Sequence, residues 1–94
     1  MFLHIGENII IPKKDIVTII AKDSVVNSED TEKFINNMIK NGLLCNENHE
    51  NVRTYIITCV SKVDRKEKKH MKKYALYTSN ISSTTLLNRE YINI

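Results

Sequence analysis

The single proline of this chain separates two apolar segments. Three isoleucines at residues 9–11 run into Pro12, and a second apolar segment at residues 16–20 follows after two lysines and an aspartate. Proline cannot donate to a strand ladder and restricts the residue before it, so the first segment must end there. We therefore predict two strands joined by a bulge or tight corner that displays the lysines. The doubly apolar second segment indicates cover on both faces of its sheet.

Further strands are predicted on both sides of these segments. Residues 2–5 form a short strand that turns at Gly6 and Asn8, residue types that tolerate positive φ, so a hairpin into residues 9–11 is expected. β-Branched and aromatic residues without glycine or proline predict strands near 53–60 and 74–79. These two strands would pair in an antiparallel hairpin across a long connection.

A central helix is predicted over about residues 28–41. Asn27 or Ser28 can cap its start, acidic residues occupy its first turns, and Gly42 can end it in the left-handed conformation. Its apolar residues recur at helical spacing and form one stripe, Phe34, Ile35, Met38 and Ile39. Such a stripe is typical of a core-facing surface.

These elements predict one α+β domain over residues 1–94. A small antiparallel sheet contains the N-terminal hairpin and the strands near 16–20, 53–60 and 74–79. The central helix and a short C-terminal helix at about 82–89, capped by Ser82 or Ser83, would pack against it.

Composition supports a globular, non-secreted protein. Apolar residues make up 41% and charged residues 27% of the chain, which argues against disorder. The two cysteines lie far apart in sequence, and neither a secretory segment nor an apolar run near the length of a membrane span is evident. We expect a cytoplasmic protein with reduced thiols and no membrane insertion.

Positive charge is concentrated in residues 61–73. This segment holds seven basic and two acidic residues, a net charge of +5, whereas the rest of the chain sums to −2. Such a segment suits phosphates or an acidic partner. The alternative is a solvated loop whose lysines keep neighbouring sheet edges from pairing with other chains. If the segment binds DNA phosphates, the candidate contact residues are Lys66, Lys68 and Lys69.

Motifs for catalysis, metal ions or cofactors do not occur. His4, His49 and His70 are dispersed, and no nucleotide-binding or nucleophile motif is present. We therefore predict that the protein is not an enzyme and uses no metal or cofactor. Lys13 and Lys14 remain as candidates, because a corner anchored on both sides loses little entropy when it binds a phosphate. Arg53 opens the strand near 53–60 and could share that edge.

Several stretches together resemble the bacterial extracellular matrix regulatory family of RemA and RemB proteins, with a closer likeness to the RemB branch. They are "MFLHIGENIIIPKKDIVTII", followed by a short helix, then "TYIIT" and "YTSNISSTTLLNR". The resemblance covers about three quarters of the chain. The resemblance implies a non-enzymatic DNA-binding regulator that assembles into a homo-oligomeric ring. Matching by position places the family's basic residues at Lys14, with Lys13 beside it, and near Arg53.

The chain departs from the family pattern at two places. The RemA branch has adjacent arginines where this chain has Arg53 alone, and residues 61–73 form a basic insertion. The first hypothesis is a nucleoid-associated regulator of extracellular matrix and biofilm genes. It binds double-stranded DNA through Lys13, Lys14, Arg53 and the insertion. The alternative is an oligomeric scaffold or adaptor that binds an acidic protein through residues 62–73.

Overall fold

The computed structural model describes residues 1–46 and 51–92, and it confirms an α+β fold. In this part of the chain the strands are β1 (Phe2–His4), β2 (Ile10–Pro12), β3 (Ile16–Ala21), β4 (Thr54–Asp64) and β5 (Lys69–Ser79). The helices are α1 (Lys22–Val26), α2 (Glu29–Lys40) and α3 (Ser83–Ile92), and a 3₁₀ turn spans Lys13–Asp15. The predicted C-terminal helix is present but longer than 82–89, and α1 was not predicted.

Strands β1 and β2 form the predicted N-terminal hairpin, but the prediction of one sheet was wrong, because the hairpin is a separate two-stranded sheet that packs on the face of the other. Leu3 pairs with Ile11, and the chain turns through Gly6, Glu7 and Asn8, which all have positive φ. A Cβ at Gly6, whose φ is +100°, would also lie 3.3 Å from the Asn80 side-chain oxygen. Glycine at this position therefore satisfies both the turn geometry and the close approach.

Strands β3, β4 and β5 form an antiparallel sheet with β4 in the centre. Ala21 pairs with Thr54 and Ile16 with Thr58, with a register shift between Ile16 and Thr18. Beyond Thr58 only β4 and β5 continue as a pair. The three predicted strands of this sheet are thus confirmed, although two of them extend further than expected.

The predicted long connection at residues 61–73 is wrong. Strands β4 and β5 stay paired up to Asp64 and Lys69, so the connection is only the turn at residues 65–68. We call residues 59–74 the ribbon. Its charge suggested a loop, but Val60, Val63, Met71 and Tyr74 favour extended backbone, and the pairing of the adjoining strands continues through them.

Two apolar cores lie on opposite faces of the sheet. The hairpin-side core joins the N-terminal hairpin and α3 to the sheet, with buried residues Leu3, Ile5, Ile11, Ile56 and Leu86. The helix-side core joins α1 and α2 to the other face, with buried residues Val25, Ile35, Met38, Ile57 and Leu76. Ile19 packs against the first core and Ile20 against the second, so the expected cover on both faces of β3 is confirmed.

Helix α2 begins and ends as the sequence predicts. The Ser28 hydroxyl accepts a hydrogen bond from the Thr31 backbone N–H at 3.3 Å. Gly42 has φ of +76°, and the N–H of Leu43 donates to the carbonyl of Met38, which closes the helix end.

The predicted apolar stripe of α2 is only half buried. Ile35 and Met38 belong to the helix-side core, but Phe34 is 53% exposed and Ile39 40% exposed. The placement of Phe34 and Ile39 in the core was wrong, because a stripe of this width exceeds what the small sheet can cover.

The segment after α2 covers part of the outer edge of β5. Leu76 donates to the carbonyl of Leu43 and accepts from the N–H of Cys45, both at 2.9 Å. The buried Asn46 amide then donates to the Thr78 carbonyl at 2.7 Å, and its oxygen accepts from the Thr78 N–H at 2.9 Å. The Asn46 side chain therefore makes the two hydrogen bonds to the edge of β5 that the backbone of a neighbouring strand would make there.

Candidate nucleic-acid interface

The two lysines after Pro12 lie on a rigid turn. Pro12 has φ of −59°, the chain then turns through Lys13–Asp15, and the Ile16 N–H donates to the Lys13 carbonyl. The Lys13 N–H donates to the Met1 carbonyl at 3.0 Å, which ties the turn to the N-terminal hairpin. The side chain of Lys14 is exposed and that of Lys13 is half-buried. The predicted anchored corner is therefore present.

This corner lies at the base of the ribbon. The turn packs against β4, and Ile16, directly after it, pairs with Thr58 at the point where the ribbon begins. The turn also follows β2, which belongs to the hairpin that covers one face of the sheet. Lys13 and Lys14 therefore adjoin the hairpin-side face of the ribbon.

Alternation along the paired strands assigns the ribbon side chains to two faces. Ile56 and Tyr77 are a cross-strand pair on the hairpin-side face. Every second residue from each of them along its strand therefore has its side chain on that same face. The hairpin-side face of the ribbon carries Val60, Lys62, Lys69, Met71 and Lys73. The helix-side face carries Cys59, Ser61, Val63, His70, Lys72 and Tyr74. Three lysines thus lie on the face that adjoins the corner, and one lies on the other.

The basic residues of the ribbon are exposed, and the ribbon carries a net charge of +5. Lys66 and Lys68 lie in the exposed turn together with Arg65, and Lys69 lies at the first pair beside it. An exposed ion pair joins Lys69 to Glu67 at 3.7 Å, a type that contributes little stability. The predicted residues of the insertion are therefore together at the tip, about 17 Å from the base at 3.3 Å per residue.

Arg53 is not brought together with the corner. Strands β3 and β4 are antiparallel, so the start of β4 adjoins the end of β3, and the corner adjoins Thr58. The Arg53 N–H donates to the Ser79 carbonyl, and the Arg53 carbonyl accepts from the Lys22 N–H, both at 2.9 Å. Its side chain is exposed about 16 Å along β4 from Thr58. The expectation that Arg53 shares the corner's edge is thus not met within one chain.

A feature that the sequence reasoning missed is an apolar groove on the helix-side face. It has a volume of about 370 Å³ and is lined by Val17, Phe34 and Tyr74, with Asp30 at its side. All three apolar residues are substantially exposed. The one signal of this groove in the sequence was Phe34, a large aromatic residue in the apolar stripe of α2. The stripe predicted that Phe34 lies in the core, so the groove was not expected.

Tyr77 is the described residue whose protonation is clearly perturbed. Burial raises the pKa of Tyr77 above its ordinary value of 10.0, with smaller contributions from a hydrogen bond to Cys45 and from the charges of Cys45 and Asp15. Cys45 and Cys59 are free thiols. The effect on Tyr77 bears on stability and has no link to the basic surface.

This shift predicts a stability loss at alkaline pH. Because the folded-state pKa is raised, the neutral phenol stabilises the fold below about pH 10, and this contribution is lost as pH rises through the folded pKa. We expect the free energy of unfolding to fall more steeply above about pH 10 in wild type than in Tyr77→Phe. Urea titrations at each pH measure the free energy of unfolding of both proteins. If the two proteins lose stability equally as pH rises, the raised pKa of Tyr77 is not the cause.

The described residues contain no cluster of three or more histidine, cysteine, aspartate or glutamate side chains able to hold a metal ion. His49 lies outside the described residues. Helices long and apolar enough to cross a membrane are likewise absent from residues 1–46 and 51–92. The sequence matches no protein-family model and has no significant match to a curated protein.

Proposed function

We propose that this protein is a non-enzymatic, DNA-binding regulator that contacts the phosphates of duplex DNA through the ribbon and the corner at its base, and through Arg53 as a separate contact. The observation that carries the proposal is the ordered ribbon, with seven basic residues and a net charge of +5, continuous with two anchored lysines. The resemblance to the extracellular matrix regulatory family supports the same function. It further suggests matrix and biofilm genes as targets and a nucleoid location.

Order in the ribbon favours phosphate binding over simple solvation. A paired backbone holds its lysines at regular spacing, so less conformational entropy is lost on binding than for a loop. Binding through phosphates is largely independent of sequence and falls steeply with salt. Retention at ~50 mM salt and loss at ~200 mM is therefore expected in a mobility shift with any duplex.

Self-association into a ring is part of the proposal. Strand β3 pairs with β4 along one edge, and no strand within residues 1–46 and 51–92 pairs with its other edge. An unpaired edge is a ready site for a neighbouring copy, and a closed ring would leave none exposed. We expect light scattering at tens of micromolar protein to report a multimer, and a stable monomer there would contradict the ring.

An adaptor for an acidic protein is the second candidate. The groove beside Phe34 and the exposed Val63 favour it, because exposed apolar residues suit a protein partner. The discriminating measurement is DNA binding at low salt. Absence of a shift even at ~50 mM salt would favour the adaptor, since phosphate contacts are strongest there.

Substitution of Lys14 and Arg53 tests the site. We expect Lys14→Ala with Arg53→Ala to weaken DNA retention and to lower the salt slope by about 2, without changing oligomer size. The two residues lie at opposite ends of the sheet, so their separate effects should add. Lys33→Ala with Lys40→Ala on α2 removes the same charge and is the control. Wild-type affinity in the double variant would show the assignment to be wrong.

A further inference from the structure

The ribbon stands free of the rest of the fold. Strand β3 begins at Ile16 opposite Thr58, and the segment beside β5 reaches only from Leu76 to Thr78. Six cross-strand pairs, from Cys59 with Tyr74 outward, therefore have no flanking strand among the described residues. They extend about 17 Å before the turn adds its own length. Both edges and both faces of the ribbon beyond the first pair are open to a partner.

The side chains that the structure describes on the hairpin-side face of the ribbon are of two kinds. Lys62, Lys69 and Lys73 alternate across the strands with Val60 and Met71, and Met71 is 61% exposed. Phosphate binding uses the lysines and leaves the apolar pair without a role. Base edges in DNA use both, because lysine donates to guanine O6 and N7 and apolar groups contact the thymine methyl.

The width of the ribbon fits the major groove of DNA and not the minor groove. It is about 12 Å wide and admits a two-stranded ribbon, whereas the minor groove is about 6 Å wide. Strands that lie about 4.8 Å apart, with side chains on both, are too broad for the narrower groove. Proteins that widen the minor groove insert an apolar wedge. The turn at residues 65–68 has no apolar residue to serve as one.

We infer that the ribbon enters the major groove of duplex DNA with its hairpin-side face toward the base edges. The inference rests on the proposed function and adds to it the groove and the contacting face. Lys62, Lys69 and Lys73 donate to guanine acceptors, and Val60 and Met71 contact thymine methyl groups. Lys13 and Lys14, at the base of the same face, reach the phosphates at the groove's rim.

Dimethyl sulfate distinguishes the grooves, since it methylates guanine N7 in the major groove and adenine N3 in the minor groove. A short duplex saturated with protein at ~50 mM salt is treated, and reactivity is averaged over all positions. With wild type we expect guanine N7 methylation to fall severalfold and adenine N3 methylation to stay unchanged. No preferred binding site is needed for this readout.

Two charge-matched variants test the face. The first replaces the hairpin-side lysines with glutamine, at Lys62, Lys69 and Lys73. The second removes three positive charges elsewhere on the ribbon by glutamine substitution, at Arg65, Lys68 and Lys72. We expect both to bind more weakly, and only the first to lose N7 protection once saturated. Circular dichroism confirms that both are folded.

The outcomes separate the inference from the proposed function. Bound wild type with unprotected N7, or with protected adenine N3, overturns the inference and leaves DNA binding intact. Equal loss of N7 protection in both variants overturns the assignment of the face. No binding of wild type at low salt overturns the inference and the proposed function together.

Discussion

Replacing residues 61–72 with Asn-Gly is expected to remove most of the affinity for DNA while the fold persists. Val60 and Lys73 are paired, and Asn-Gly closes a two-residue hairpin between such partners. The deletion removes six basic and two acidic residues. If all six cations neutralise phosphates, the slope of log K against log salt should fall by about 5, at about 0.9 per phosphate. If Lys62 and Lys69 contact base edges instead, the remaining four cations should lower it by about 4.

Fluorescence anisotropy with a labelled duplex at several salt concentrations measures the effect. The control keeps the full ribbon and replaces the same cations with glutamine, at Lys62, Arg65, Lys66, Lys68, Lys69 and Lys72. Equal loss in both variants assigns the effect to charge. A truncated protein that is folded and keeps the wild-type slope would remove the ribbon from the binding site.

Asn46→Ala is expected to lower the free energy of unfolding by about 2–4 kcal/mol, because it leaves two buried backbone groups without a partner at about 1–2 kcal/mol each. The two bonds to the Thr78 backbone are 2.7 and 2.9 Å long, the Thr78 hydroxyl also donates to the Asn46 oxygen at 3.3 Å, and Asn46 is 9% exposed. For a domain of this size the loss lowers the melting temperature by roughly 10–20 °C. The same change uncovers part of the edge of β5, so we also expect aggregation on heating.

Asn46→Asp and Asn41→Ala complete the experiment. The aspartate keeps the acceptor for the Thr78 N–H but cannot donate to the Thr78 carbonyl when ionised, so an intermediate loss is expected. Asn41 is exposed at the end of α2 and should change stability little. Thermal unfolding that shows the same midpoint for Asn46→Ala and Asn41→Ala would contradict the role of the side chain.

Local patterns predicted the elements that depend on local chemistry. The start of α2 at Ser28, its end at Gly42, and the corner after Pro12 all follow from backbone preferences that one residue sets. The strands of the sheet followed from β-branched composition. These signals act within a few residues, and the sequence displays them directly.

Features that depend on tertiary partners were missed. The ribbon's pairing outweighs the loop signal of its charges, and Phe34 is exposed because the sheet is too small to cover the whole stripe. The role of Asn46 has no local signal, since its partner Thr78 is 32 residues away. Arg53 was grouped with Lys14 because both flank neighbouring strands, but the antiparallel direction separates them.

The hairpin-side core unites residues that are far apart in sequence, and this constrains the order of folding. Ser79 donates to the Ile5 carbonyl at 2.7 Å, and Arg89 donates to the His4 carbonyl at 2.9 Å. The helix-side core uses only residues 20–76. During synthesis the helix-side core can therefore form first, while the N-terminal hairpin waits for Leu86 to emerge from the ribosome. A nascent chain stalled so that Leu76 has emerged from the ribosome and Leu86 has not should protect α2 from proteolysis and leave β1 accessible.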